Sequence, residues 1–185
     1  MKILISLLFL VLCLPAHADW MMATNTGFHS STDGNSSYKF SDMINHVFVG
    51  ASIGTKAQLF IGQNVTYQTT TFTTSTTSKI TTLELGPRIN YYFNNDKTIL
   101  MVLAWNPYAK GSRTTVTGAS QDVSGYSFLA GLGYEIKLNR NFYLGASIMY
   151  YSLTVTKSET NNTSTEVSEA YSIVTPMINM SFRFR

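Results

Sequence analysis

The chain is poor in charge: of its 185 residues, 12% are Asp, Glu, Lys or Arg, about half the fraction usual for a soluble globular domain. Something other than water therefore solvates much of its surface. Lys and Arg never gather into a run and the formal net charge is only +3, which argues against a nucleic-acid partner. The single cysteine, Cys13, lies near the start and follows Leu12. A bacterial lipoprotein signal wants a small residue there, so lipidation is not expected. After Asp19 no apolar run is long enough for a membrane helix, and no segment keeps helical periodicity over several turns. Beyond residue 18 there are two histidines, His29 and His46, and no cysteine. No transition-metal site and no cofactor are expected of such a set.

Residues 1–18 have the three parts of a secretory signal. Lys2 gives the positive start, Ile3 to Leu14 the apolar stretch, and Ala16-His17-Ala18 the small-residue cleavage site before Asp19. What remains, 19–185, is the size of one domain and enters an oxidising compartment without a cysteine, so it holds together without disulfides.

That remainder alternates by twos. Leu83, Leu85, Ile89, Tyr91 and Phe93 are separated by Glu84, Gly86, Arg88 and Asn90, and Tyr126, Phe128, Leu132, Tyr134 and Ile136 by Ser127, Gly131, Gly133, Glu135 and Lys137. One face of each strand is greasy and the other polar or small. Tight-turn residues recur at Gly54-Thr55-Lys56, Asn94 to Lys97 and Asn139-Arg140-Asn141. Between them lie longer Ser-, Thr- and Asn-rich connections over 29–42, 69–78, 114–121 and 159–165. Three short turns alternating with four long loops join eight strands. The strands exceed the roughly 9–11 residues needed to cross an outer membrane, and the Thr-rich excess is expected to project as a paired polar rim.

Alternation alone does not choose between a soluble barrel and a membrane barrel. The polar face does. It combines glycines with Glu84, Arg88, Glu135 and Lys137, a set suited to the narrow lumen of an eight-stranded barrel. The apolar face carries aromatics near both ends: Tyr91, Phe93, Phe142, Phe182 and Phe184 by the short turns, and Tyr67, Tyr126 and Tyr150 by the long loops. Two such girdles flanking an aliphatic band belong to a transmembrane barrel.

With its signal sequence, alternating short turns and polar loops, and a last strand ending in Phe182 and Phe184, the chain resembles the small eight-stranded outer-membrane barrels, the superfamily of OmpX, OmpW and the OmpA membrane domain. The resemblance covers essentially all of 19–185. It implies an all-β, up-and-down antiparallel transmembrane barrel in the bacterial outer membrane, with the short turns facing the periplasm. It also implies outer-membrane lipid as a partner, and the barrel assembly machinery engaged through the C-terminal strand. Members usually end on the aromatic residue itself, whereas here Arg185 follows Phe184.

The expected role is non-enzymatic, structural or surface-interacting, with the surface partner unidentified. Counting from the neighbouring turns puts Arg88 and Glu135 at similar heights, so an ion pair between them is expected. Such a network either plugs the lumen or, by exchanging partners, opens a narrow path for ions. Passage of ions or small hydrophobic molecules is thus the alternative function. Lipid modification is a third: His29, Ser30 and Asp33 share one loop, and a histidine can activate a hydroxyl. Neighbours on an extended chain point apart, however, so no catalytic residue is assigned. Trp105-Asn106-Pro107-Tyr108 reads as girdle or as an apolar pocket. Pro87, Pro107 and Pro176 interrupt strands and are expected at bulges or rims.

Overall fold

The computed structural model describes residues 18–32, 39–54, 56–74, 76–115, 117–160 and 163–184. Apart from Ala18, the leader expected over 1–18 lies outside the described residues, as do Asp33 and Arg185.

Eight strands form: β1 (Trp20–Thr32), β2 (Lys39–Ile53), β3 (Leu59–Thr73), β4 (Thr77–Tyr92), β5 (Ile99–Thr114), β6 (Ser120–Lys137), β7 (Phe142–Thr160) and β8 (Thr163–Phe184). Each pairs antiparallel with the next and β8 closes on β1, giving an up-and-down barrel. The period-two pattern dictates which wall each side chain joins. Leu83, Leu132, Ile148 and Ile178 are 49–64% exposed on the outside, whereas Phe48, Asn64, Asn90 and Asn179 are fully buried inside. The greasy face is the outer one, opposite to a soluble barrel.

At the end carrying the termini, asparagines shape two of the turns. Asn94 Oδ1 accepts from the backbone N–H groups of Thr98 and Ile99 at 2.9 and 3.0 Å, and Asn139 Oδ1 from those of Asn141 and Phe142 at 3.0 and 2.9 Å. At the other end the strands run on into the segments expected to be loops. β3 and β4 stay paired to Thr73↔Thr77, and β7 and β8 to Thr160↔Thr163. Threonine takes the pleated conformation readily, and continuing the ladder satisfies the backbone without a protein core. The described residues of 69–78 and 159–165 are therefore mostly strand, forming tall hairpins.

The prolines mark departures from regular pairing. In β4–β5 the register shifts between Leu85 and Arg88, and in β5–β6 between Asn106 and Ala109. Pro87 and Pro107 both fall in this irregular patch, so neither removes a ladder bond from a regular stretch. The extra residue re-aims the strand: Trp105 and Tyr108 both face outward, 56% and 46% exposed, while Asn106 points inward and is buried. Pro176 pairs with Ile148 of β7, but the β1–β8 ladder ends one residue earlier, at Gly27↔Met177. Above that point, among the described residues, β8 pairs with β7 alone, so the missing N–H of Pro176 disrupts no β1 contact.

Candidate functional site

The lumen is the candidate site, and its polar groups arise mainly from β1–β4 and β8. The opposite wall is apolar: Val102, Leu129, Met149 and Leu153 point inward and are at most 1% exposed. The expected lumen of polar and small residues is thus a mixed one. Runs such as Leu100-Met101-Val102-Leu103 carry the signal, since an uninterrupted apolar strand is greasy on both faces.

At the turn end, Glu135 pairs with Arg183, Nη2 to Oε2 at 2.5 Å. Tyr92 and Ser181 donate to the same oxygen at 3.0 and 3.1 Å. The Arg183 guanidinium also lies over the rings of Tyr143 and Tyr92, 3.5 and 4.2 Å from their centroids.

Arg88 sits higher and is almost fully buried. Its fork is held by asparagines: Nε donates to Asn90 at 2.8 Å, Nη2 to Asn25 at 2.7 Å, and Nη1 to Asn64 at 3.4 Å. It also lies over Phe48 at 5.1 Å. Among the described residues, the ion-pair partner of Glu135 is Arg183 and not Arg88, which corrects the expected pair. Heights counted from neighbouring turns do not give the geometry across a barrel, because the strands tilt.

Above Arg88, Glu84 gathers neutral donors. Ser127 and Tyr151 donate to its carboxylate in short hydrogen bonds, Thr82 at 2.7 Å and Asn106 at 3.4 Å. Tyr151 also reaches Gln68, and His46 Nδ1 lies 2.7 Å from Thr66. His46 is fully buried.

Lys137 departs from the expected network. It has the inward parity of Glu135 but ends β6 at the open rim, where it is exposed. Parity fixes the face of a residue and not its height. All eight girdle residues lie on the outer wall. Tyr67, Phe93, Tyr126, Tyr150, Phe182 and Phe184 are exposed, Tyr91 and Phe142 are half-buried, and the Phe142 and Phe182 rings meet at 4.7 Å. Two doublets divide between the walls: Tyr91 and Tyr150 face out, whereas Tyr92 and Tyr151 bond to Glu135 and Glu84 within. Sequence reasoning named the outward member of each and missed the inward one, although an aromatic on the polar face is itself a sign of lumen packing.

At the hairpin end, Arg113 of β5 pairs with Glu169 of β8 across the mouth, and Tyr171 donates to Glu169 at 2.7 Å. Gln121 accepts from Arg113 at 2.8 and 3.2 Å. The Arg113 guanidinium, aided by Tyr171, holds the Glu169 carboxyl below the usual carboxylate range. His29 and Ser30 occupy neighbouring positions of β1, paired with Asp42 and Ser41 respectively. They point to opposite walls, so the His–Ser pair needed to activate a nucleophile is not assembled.

A family model described as an outer membrane protein beta-barrel domain matches residues 4–172. The structure is similar to Neisserial surface protein A, with a TM-score of 0.52 and 15% identity over 90% of this chain and 97% of that one. It is similar also to Ail, the attachment invasion locus protein of Yersinia pestis, solved in complex with the heparin analogue sucrose octasulfate. There the TM-score is 0.51 and the identity 14%, over 90% of this chain and 99% of the other. Comparison with curated proteins finds no match. The outward apolar wall, its aromatic ends and the family match lead to one conclusion: this chain belongs to the outer membrane protein β-barrel family and resides in the bacterial outer membrane.

Proposed function

We propose that this barrel is a non-enzymatic structural and surface-interaction element whose lumen is plugged. In this reading the termini and short turns face the periplasm and the tall hairpins face outward. Lipid surrounds the girdled wall, the assembly machinery engages β8 through Phe182 and Phe184, and nucleic acid is not a partner. The observation that supports the plug is the set of bonded layers along the axis: Glu135–Arg183, Arg88 with its asparagines, Glu84 with its donors, and Arg113–Glu169 at the mouth. An ion path would have to break several charge-assisted hydrogen bonds, each contributing about 1.5–3 kcal/mol, and would leave their buried partners unpaired. An eight-stranded interior offers little free volume for rearrangement.

Single-channel recording on the purified, refolded barrel tests the reading. No steady conductance is expected, and regular openings that change with Arg183→Met would favour the gate instead. Mass analysis of outer-membrane lipids after gene deletion tests the non-enzymatic part: loss of one lipid modification would overturn it. Shortening the hairpins at 74–76 or 115–119 should change adhesion to host or neighbouring cells, and no effect on any surface interaction would leave only the structural role.

A further inference from the structure

β1 and β8 separate toward the hairpin end. Their ladder runs from Trp20↔Phe184 to Gly27↔Met177 and stops, although β1 continues to Thr32 and β8 begins at Thr163. Among the described residues the upper edge of β8 therefore has no β1 partner, and Pro176 stands at the foot of the opening with no N–H to offer. Val174 pairs with the girdle residue Tyr150, so this seam starts within the outer half of the apolar band and opens at the height of the lipid headgroups.

A cavity of about 230 Å³ lies beside the seam. Its wall includes Tyr171 and Ile173, which have inward parity, and also Ala170 and Ser172, which have outward parity. These four consecutive residues belong to the stretch of β8 above the end of the β1–β8 ladder, so the cavity lies against that unpaired stretch.

Its lining is chemically particular. Phe40, Phe72 and Tyr171 form a chain of rings, with centroids 5.1 Å apart for Phe40–Phe72 and 6.2 Å for Phe72–Tyr171. Asp42, 2% exposed, lies at the floor. Its Oδ1 accepts from Thr70 and, at 3.2 Å, from Gln68. The floor donors are already committed: the single Tyr151 O–H lies between Gln68 Oε1 and Glu84, and the two Gln68 N–H groups go to Asp42 and Thr70. What remains for a ligand is the Asp42 carboxyl group in a cavity that three aromatic rings also line. Ring faces and a carboxylate together attract a weakly hydrated organic cation. An anionic head would meet Asp42 and find no free donor there.

We propose that this cavity binds the alkylammonium head of a single-chain amphiphile drawn from the outer leaflet, with the tail leaving through the β1–β8 seam. The volume holds a quaternary ammonium group and the first methylenes but is below the roughly 300–1,000 Å³ of sites that enclose a drug-sized ligand. The tail must therefore lie outside, where the seam meets lipid. The inference rests on the outward orientation of the hairpins proposed above. It does not require a conducting lumen, and an equilibrium binding measurement separates the two.

The test is titration of decyltrimethylammonium into the barrel held in lipid nanodiscs, followed by NMR of Phe and Tyr side chains. Saturable binding of one molecule per barrel is expected. Asp42→Asn and Phe72→Leu should each weaken it tenfold or more, the second keeping apolar volume while removing the ring. Decyl sulfate and decyl maltoside should not compete, and tetramethylammonium should bind more weakly for want of a tail. Asp42→Asn alone suffices if Phe72→Leu fails the heat-modifiability gel. Equal binding of decyl sulfate, or unchanged affinity in Asp42→Asn, would overturn the head site. Equal affinity for tetramethylammonium and its decyl analogue would overturn the seam.

Discussion

Replacing Arg183 by methionine, or its partner Glu135 by glutamine, should cost more stability than removing any other charge at the turn end. Methionine keeps most of the stem's volume, so the change removes the guanidinium together with its contacts over the Tyr92 and Tyr143 rings. In the native barrel Glu135 Oε2 receives Arg183 at 2.5 Å together with the hydroxyls of Tyr92 and Ser181. Glu135 is 1% exposed and Arg183 7%, so both charges are desolvated. Removing one partner of a buried pair typically costs about 3–5 kcal/mol, because the survivor is left uncompensated. Two neutral donors remain to Glu135 after the substitution, which places the expected loss near the lower end, about 3 kcal/mol. Glu135→Gln should cost a similar amount. The double variant Glu135→Gln/Arg183→Met should lose less than the sum of the singles, by about 1–3 kcal/mol of coupling. Urea titration of the refolded barrel in lipid vesicles, with folded fraction read from gel mobility, measures each value. Additive losses, or an Arg183→Met barrel as stable as the parent, would refute the claim that this pair ties the lumen.

Lys137→Ala should shift stability by no more than about 0.5 kcal/mol, since Lys137 is exposed at the rim; a larger change in the same urea titration would show that it joins the lumen network. Gly62→Ala should destabilise by about 1–3 kcal/mol, because the added Cβ would overlap the Val49 carbonyl and the Gly50 backbone on β2. Gly133→Ala should cost less, as its Cβ would meet Asn179 Nδ2 and Ser147 Cβ at 2.9 Å and the Ala146 carbonyl oxygen at 3.0 Å, against closer approaches to backbone atoms at Gly62; thermal unfolding of the two variants gives the order. At the mouth, Arg113 depresses the Glu169 carboxyl, so this tie is fully present above the ordinary glutamate pKa and is lost as pH falls through the lowered folded value. Protection factors of the amides in the upper parts of β5 and β8, corrected for the intrinsic pH dependence of exchange, should fall on acidification below about pH 4, and identical protection factors at pH 7 and pH 3 would contradict it.

The strands and their faces were legible because a strand's side-chain period is two whatever it packs against. Glu84, Arg88 and Glu135 could be assigned to the inner wall, and Tyr67 or Phe182 to the outer, before any pairing was known. The inward tyrosines Tyr92 and Tyr151 escaped notice because each stands beside an outward tyrosine with the more familiar girdle role. Pro87 resisted explanation along its own strand. Its setting becomes intelligible only with Pro107, twenty residues on in β5's shifted register.

By itself the sequence determined local geometry: eight alternating stretches, tight turns between them, and an apolar wall that must meet lipid because so little charge is available to meet water. Each of these follows from a few consecutive residues. Only the closed barrel decided who meets whom. It brought β8 beside β1, gave Glu135 to Arg183 and left Arg88 to three asparagines. It left Lys137 at the rim and ended the β1–β8 ladder beneath Pro176. Those relations depend on strand tilt and on the register between segments far apart in the chain, and no local pattern encodes either.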